Sequence, residues 1–127
     1  MIVDPPALEG SATAQEAGQL FLRPEVRNVL VCESGRLTGI VTRKTLVREV
    51  VATGSDPRET VLRDIAEEPL FTVDADAELE DAFRELEERD FERVPVVEDG
   101  RLVGVLSRAV VQRRLAEDEP AAEDAPA

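Results

Sequence analysis

The chain has 127 residues, 15 Lys and Arg against 28 Asp and Glu, a net charge of −13, one Cys, and no His, Trp or Tyr. Without His it lacks the usual general base near neutral pH and the commonest metal ligand. A single Cys permits neither an internal disulfide nor a Cys-rich zinc site.

Leu, Ile, Val and Phe make up 37 residues, above the roughly 20% below which so charged a chain stays unfolded. The longest apolar run is 29–32, far short of the roughly 20 residues of a membrane span. The first residues hold no basic or long apolar segment, so no secretory leader is expected and a cytoplasmic protein is. The charge is localised. Residues 74–90 hold nine acids and two Arg, and residues 116–127 hold five acids and no base. Such surfaces repel phosphate backbones, which argues against nucleic-acid binding. The tail lacks any apolar period and is expected to be disordered over 117–127.

In chain order, Ala14, Ala17, Gly18 and Phe21 make a thin helical stripe. A strand over 29–32, a turn at Ser34-Gly35 and a strand over 37–41 read as a hairpin. Thr42 then opens a helix carrying Leu46, Val47, Val50 and Val51, with Gly54 as its stop. Asp56-Pro57 reads as the start of a connecting helix reaching about Ala66. A strand is expected over 70–73. Asp76 is the expected N-cap of a helix whose apolar face is Leu79, Ala82, Phe83 and Leu86. Its acids, among them Glu80, Asp81, Glu87 and Glu88, form a solvated face. Strands over 94–97 and 102–106 flank Asp99-Gly100. Ser107 opens a last helix with Val110, Val111 and Leu115.

These elements repeat. Residues 29–43 align without a gap on 94–108, at an offset of 65, with eight of fifteen positions identical. The offset also superposes Ala17 on Ala82 and Arg48 on Arg113. The expected organisation is a first repeat over 1–55, a connecting segment over 56–66, a second repeat over 67–116, then the tail. Neither unit can hide its sheet face alone, so the two are expected to pack together. The first repeat lacks a full lead-in. Its opening strand is expected from about Ile2 to Leu8, and a truncated start would account for the shortfall.

Two strand-to-helix junctions carry the candidate chemistry. In Gly39-Ile-Val-Thr42-Arg43-Lys44 and Gly104-Val-Leu-Ser107-Arg108, a hydroxyl stands at a helix start, where free N–H groups and the dipole attract anions. The glycines allow close backbone approach. Arg43, Lys44 and Arg108 are cations at the dipole's unfavourable end. A local rule broken in both copies points to function. The competing reading makes Thr42 and Ser107 ordinary N-caps, contributing about 1 kcal/mol each. Cys32, in an apolar strand with no His to activate it, reads as a buried inert thiol. No nucleophile–base pair is evident, so catalysis is not expected.

The run 92–107, the lead-in 60–65 and the two copies in register resemble the cystathionine-β-synthase-type (CBS) domain, which occurs in tandem pairs known as Bateman modules. The resemblance covers residues 1 to about 116. It implies an α+β fold of two βαββα repeats packed through their sheets with pseudo-twofold symmetry. It also implies a non-catalytic sensor that binds a small anionic ligand in the cleft between the repeats and modulates a partner protein. AMP, ADP, ATP or S-adenosylmethionine are the ligands it suggests, and a homodimer is the assembly; no resident cofactor or metal is implied. Ligand contacts would come from Thr42, Arg43, Lys44, Thr45, Ser107 and Arg108, with Val94 and Pro95 bordering the adenine. The family's ribose-holding Asp is replaced in both copies, by Thr45 and Val110. The alternative is a degenerate pair that binds no nucleotide and serves as a dimerisation or docking scaffold, recognisable by an exposed apolar patch.

Overall fold

The structure is a computed structural model that describes residues 4–69 and 71–118. It is α+β and divides into two compact units: residues 1–71 together with the turn 99–102, and residues 72–98 with 103–127.

The first unit opens with β1 (Ala7–Glu9), parallel to β2 (Val29–Glu33), which runs antiparallel to β3 (Arg36–Val41). Ser34 and Gly35 turn the hairpin with φ of 54° and 82°. That is the twist-matched turn that requires positive φ at both central positions. Between β1 and β2 lies α1 (Ala14–Leu20). Its start is closed by a capping box in which the Thr13 side chain accepts from the Glu16 amide and the Glu16 carboxylate accepts from the Thr13 amide. After β3 come α2 (Arg43–Leu46) and a π-helical turn, Val47–Val51. Gly54, at φ 73°, ends it; the Ser55 amide reaches the Val50 carbonyl. Ala14, Ala17, Phe21, Val29, Val31, Val41 and Val50 form the buried core. The turn 99–102 joins this unit through bonds from the Leu37 amide to the Gly100 carbonyl and from the Leu102 amide to that of Gly35.

Four details differ from the sequence reading here. Asp56-Pro57 begins a turn, not a helix: the Asp56 side chain accepts the Arg58 amide, and the Thr60 hydroxyl and amide both donate to the Asp56 carbonyl. Extended Val61 then bridges to Thr13, so the helix shrinks to α3 (Leu62–Ile65). Second, α3 packs with the first unit; Leu62 and Ile65 belong to its core. Third, Val47 and Val51 are exposed although Val50 is buried: the side of this segment that meets the core is Leu46 and Val50, and the other two valines lie off it. Fourth, the opening strand is Ala7–Glu9, and residues 2–3 of the expected strand lie outside the described residues.

The second unit pairs β4 (Val73–Asp74) in parallel with β5 (Arg93–Glu98), and β6 (Arg101–Ser107) is the neighbour of β5. Its helices are α4 (Leu79–Arg89) and α5 (Arg108–Asp118). Asp99 and Gly100 repeat the positive-φ turn, at 52° and 82°. On α4, Ala82 and Leu86 are buried, as the stripe predicts. The N-cap is Glu78, which makes no side-chain cap bond; the Ala77 amide closes a turn on the Asp74 carbonyl, which moves the helix start past Asp76. Leu70 lies outside the described residues. So do 119–127 of the expected tail, whose first two residues, Glu117 and Asp118, are helical.

The offset of 65 governs the backbone as well as the letters. Leu8 pairs with Val31 and Glu9 with Cys32; Val73 pairs with Val96 and Asp74 with Val97. The next amide bonds agree, Gly10 to the Cys32 carbonyl at 3.0 Å and Ala75 to that of Val97 at 2.8 Å.

Candidate functional site

Each unit has one strand-to-helix junction of the expected kind. At the first, the Thr42 hydroxyl accepts from the Thr45 amide at 3.2 Å, and the Thr45 hydroxyl accepts from the Thr42 amide at 3.0 Å. Thr45 is completely buried. Its hydroxyl donates to Glu67 Oε2 at 3.1 Å, and that carboxylate also takes Arg48. The Ile40 and Glu67 backbones exchange two hydrogen bonds, at 2.8 and 2.9 Å. A Cβ at Gly39 would stand 2.6 Å from Ala66 Cβ and 3.2 Å from the Glu67 carbonyl. The close approach that Gly39 permits is therefore made by the chain's own residues 66–67.

Arg43 turns away from this junction. Its Nη2 donates to the Phe21 and Arg23 carbonyls at 2.8 and 3.1 Å, and its guanidinium lies 5.0 Å from the centre of the Phe21 ring. It caps the C-terminal end of α1, where a cation is favourable. The rule broken at α2 is kept at α1. Lys44 is exposed.

At the second junction the Ser107 hydroxyl accepts from the Val110 amide at 3.2 Å, so Ser107 is a cap, as Thr42 is. The Arg108 guanidinium donates to Glu92 and lies 3.7 Å from Asp90 Oδ1. Asp90 is the left-handed residue that ends α4. Arg108 therefore reaches the end of the unit's first helix, just as Arg43 does in its own unit, with carboxylates in place of carbonyls. The Arg108 amide also donates to the Glu92 carbonyl at 2.9 Å, which sets the α5 start beside the beginning of β5. Val94 there is buried and Pro95 partly exposed. Val110 is 38% exposed. Among the described residues no heavy atom lies within 4 Å of a Cβ placed at Gly104. The second junction is open where the first is filled.

Sequence reasoning missed Glu67, Glu92, Asp90 and Phe21 as partners of these side chains. Their contacts span 16 to 22 residues of chain, beyond the reach of periodicity. The repeat itself held one clue, since both arginines follow a capping hydroxyl by one residue. Cys32 is buried, and desolvation, with a smaller contribution from Glu9, pushes its thiol up. This fits an unreactive sulfur. Among the described residues no cluster of His, Cys, Asp and Glu is arranged to hold a metal ion, and no helix is long and apolar enough to cross a membrane.

A duplicated unit of two parallel-started hairpins, each followed by a capped helix, defines the class: an α+β tandem repeat. The CBS domain family model matches residues 1–52 and 62–117, and the chain belongs to that family as a tandem CBS pair. It is 30% identical over 106 residues to hypoxic response protein 1 of Mycobacterium tuberculosis, covering 83% of this chain and 74% of that one. A crystal structure of that protein with two coordinated zinc ions superposes with a TM-score of 0.68 at 27% identity, over 90% of this chain and 94% of the other. An uncharacterised protein of Methanopyrus kandleri is 36% identical over 80 residues, 62% of this chain; the match spans only 41% of that relative's length. The cytosolic domain of the Mg2+ channel MgtE in complex with ATP superposes with a TM-score of 0.63 at 26% identity, over 87% of this chain and 44% of the other. A CBS pair is a regulatory type of module.

Proposed function

We propose that this chain is a non-catalytic regulatory module that takes a small anionic ligand, adenine nucleotides first, at the second repeat. The observation that carries this is the contrast of the two glycines: among the described residues nothing lies within 4 Å of a Cβ at Gly104, whereas Ala66 and Glu67 occupy that place at Gly39. In this reading the first repeat is structural. Its Thr45 hydroxyl is spent on Glu67 and its Arg43 on α1. The ligand's phosphate rests at the start of α5 by Ser107, where helix-start amides and the dipole favour negative charge. Arg108 supplies a charge-assisted bond once the phosphate displaces Glu92 from it. Val94 and Pro95 border the base. The MgtE relative, whose structure contains ATP, supports adenylates as the first class to test. Binding biases the conformation that a regulated protein reads.

Calorimetry and thermal-shift titration with AMP, ADP, ATP and S-adenosylmethionine test this. The expected result is a Tm increase with at least one of them, lost in Ser107→Ala with Arg108→Ala and retained in Lys44→Ala. Absence of any shift at millimolar ligand sinks the adenylate reading. One observation favours a second reading, a docking scaffold without a ligand: an apolar groove of about 340 Å³ on the first unit. That reading predicts self-association or partner binding indifferent to nucleotides.

A further inference from the structure

The turn 99–102 belongs to the first unit, and there Arg36 is paired directly with Arg101, antiparallel. The Leu37 amide donates to the Gly100 carbonyl and the Leu102 amide to the Gly35 carbonyl, both at 3.0 Å. Those bonds flank the two arginines, which are therefore a close pair that exchanges no backbone bonds of its own. Side chains at such a pair leave the same face, with Cβ atoms roughly 4.5–5.5 Å apart, and like charges there are destabilising. Each guanidinium lies over the other hairpin's turn: a Cβ at Gly35 would stand 3.1 Å from Arg101 Cζ, and one at Gly100 2.9 Å from Arg36 Cζ. Both arginines are exposed. Among the described residues neither makes an ion pair or a side-chain hydrogen bond. In a chain with 28 acids and 15 bases, a carboxylate partner is the ordinary state. Arg23, Arg48, Arg58, Arg63, Arg84 and Arg108 each have one. Acids also stand nearby in the chain. Glu33 is the register partner of Arg36, but its carboxylate accepts from Arg63 instead. Glu98 and Asp99 are exposed and leave both arginines unneutralised. A like-charged close pair without partners breaks a local rule and returns nothing to the fold, which points to function.

We infer that Arg36 and Arg101 form a clamp for a phosphoryl dianion, either free phosphate or the terminal group of a small phosphomonoester. The chemistry of the pair selects this class. Two guanidiniums bring two positive charges and two planar forks of N–H donors. A carboxylate has one charge and two oxygens, enough for a single fork. A phosphoryl dianion carries the second charge and a third oxygen, and Arg binds it through parallel bonds. The bound anion also cancels the repulsion within the pair, so binding and stability are linked. Arg36 and Arg101 are equivalents at the offset of 65, so each copy supplies one half of the clamp. The inference is independent of the ligand reading, since it uses no residue of the Ser107 junction.

Nitrogen-15 NMR of the full chain tests it, following the arginine Nε–Hε signals and the backbone amides. Sodium phosphate, glycerol 3-phosphate and a phosphoserine peptide are titrated separately, with ionic strength held constant by chloride. Phosphate or the ester should give saturable shifts at Arg36, Arg101 and the amides of 34–37 and 100–102. Arg36→Gln and Arg101→Gln should each weaken binding at least about 10-fold. Arg36→Lys should weaken it too, since the charge stays and the fork is lost. Arg27→Gln, at another exposed position of the first unit, should leave it unchanged. Phosphate should raise the Tm of wild type and of neither Gln variant at Arg36 or Arg101. Without phosphate those variants should be at least as stable as wild type, because the like-charge pair is gone. Equal affinity for the two small anions assigns the clamp to free phosphate; a tighter ester assigns it to a phosphorylated small molecule. Shifts that never saturate or that chloride reproduces would overturn the inference. So would binding unchanged in both Gln variants, binding of the peptide alone, or Gln variants less stable than wild type in phosphate-free buffer.

Discussion

The two repeats share a backbone register to the residue, yet they use their side chains differently. Both place a hydroxyl at the start of the closing helix, and both send the next arginine to the end of the opening helix. Around that frame they diverge. The first junction is closed by its own chain, with Gly39 under Ala66 and Thr45 held by Glu67. The second is left open at Gly104, with Val110 where Thr45 would be. Duplication preserved the pairing that backbone hydrogen bonds enforce. It left free the positions whose partners come from elsewhere in the chain. One copy's junction is thereby a packing element and the other's a surface.

The largest effect separates the closing segment from a mere linker. Leu62 is fully buried in the first unit, as Leu86 is in the second. Leu62→Ala should therefore cost about 2–5 kcal/mol in urea unfolding, comparable with Leu86→Ala. A cost under about 0.5 kcal/mol, typical of surface changes, would mean that residues 61–67 do not belong to the core.

The glycines give a direct contrast. Gly39→Ala forces a Cβ into Ala66 and should destabilise by about 1–3 kcal/mol. Gly104→Ala meets open space and should stay within about 0.5 kcal/mol of wild type, while weakening nucleotide binding. Equal costs at the two positions would erase the distinction.

A smaller effect probes the carboxylates around Arg108. Glu92→Gln removes a competing anion and frees the guanidinium. Nucleotide should bind more tightly by about 1 kcal/mol, or roughly fivefold, in calorimetry. Weaker binding would show that Glu92 positions Arg108 rather than competing for it.

The smallest effect is one of pH. Hydrogen bonding from Arg63, with its charge, holds the exposed Glu33 carboxyl below its ordinary value. A depressed folded-state pKa contributes stability that is present above the ordinary carboxylate pKa and lost as pH falls through the folded value. Arg63→Gln should flatten that part of the acid limb of Tm against pH. Superimposable acid limbs would show that the pair contributes nothing.

Much of the fold could be read before any coordinates. Ser34-Gly35 and Asp99-Gly100 announce their turns because few residue pairs accept two positive φ angles in succession. The hydroxyls at 42 and 107 announce helix starts because orphan amides need acceptors. Leu79, Ala82, Phe83 and Leu86 announce α4 by period alone. The direction of Arg43 and Arg108 was not readable, since a charge at a helix start resembles an anion site until its distant partner is known. Nor was Glu67 at Thr45, because nothing local ties a linker residue to a helix cap. Asp56-Pro57 misled because the Thr60 hydroxyl takes the Asp56 carbonyl and closes a turn that a helix would have continued. The family pattern marked both junctions by the same glycine, hydroxyl and arginine and told them apart at Thr45 and Val110; the difference in packing at Gly39 and Gly104 was not in it.

The most direct measurement is a nitrogen-15 NMR titration of the full chain with ATP and AMP, following backbone amides at both helix starts. The account predicts saturable shifts at residues 107–111 and around Val94, with residues 42–46 unmoved. Shifts centred on 42–46, or none anywhere at millimolar nucleotide, would contradict it.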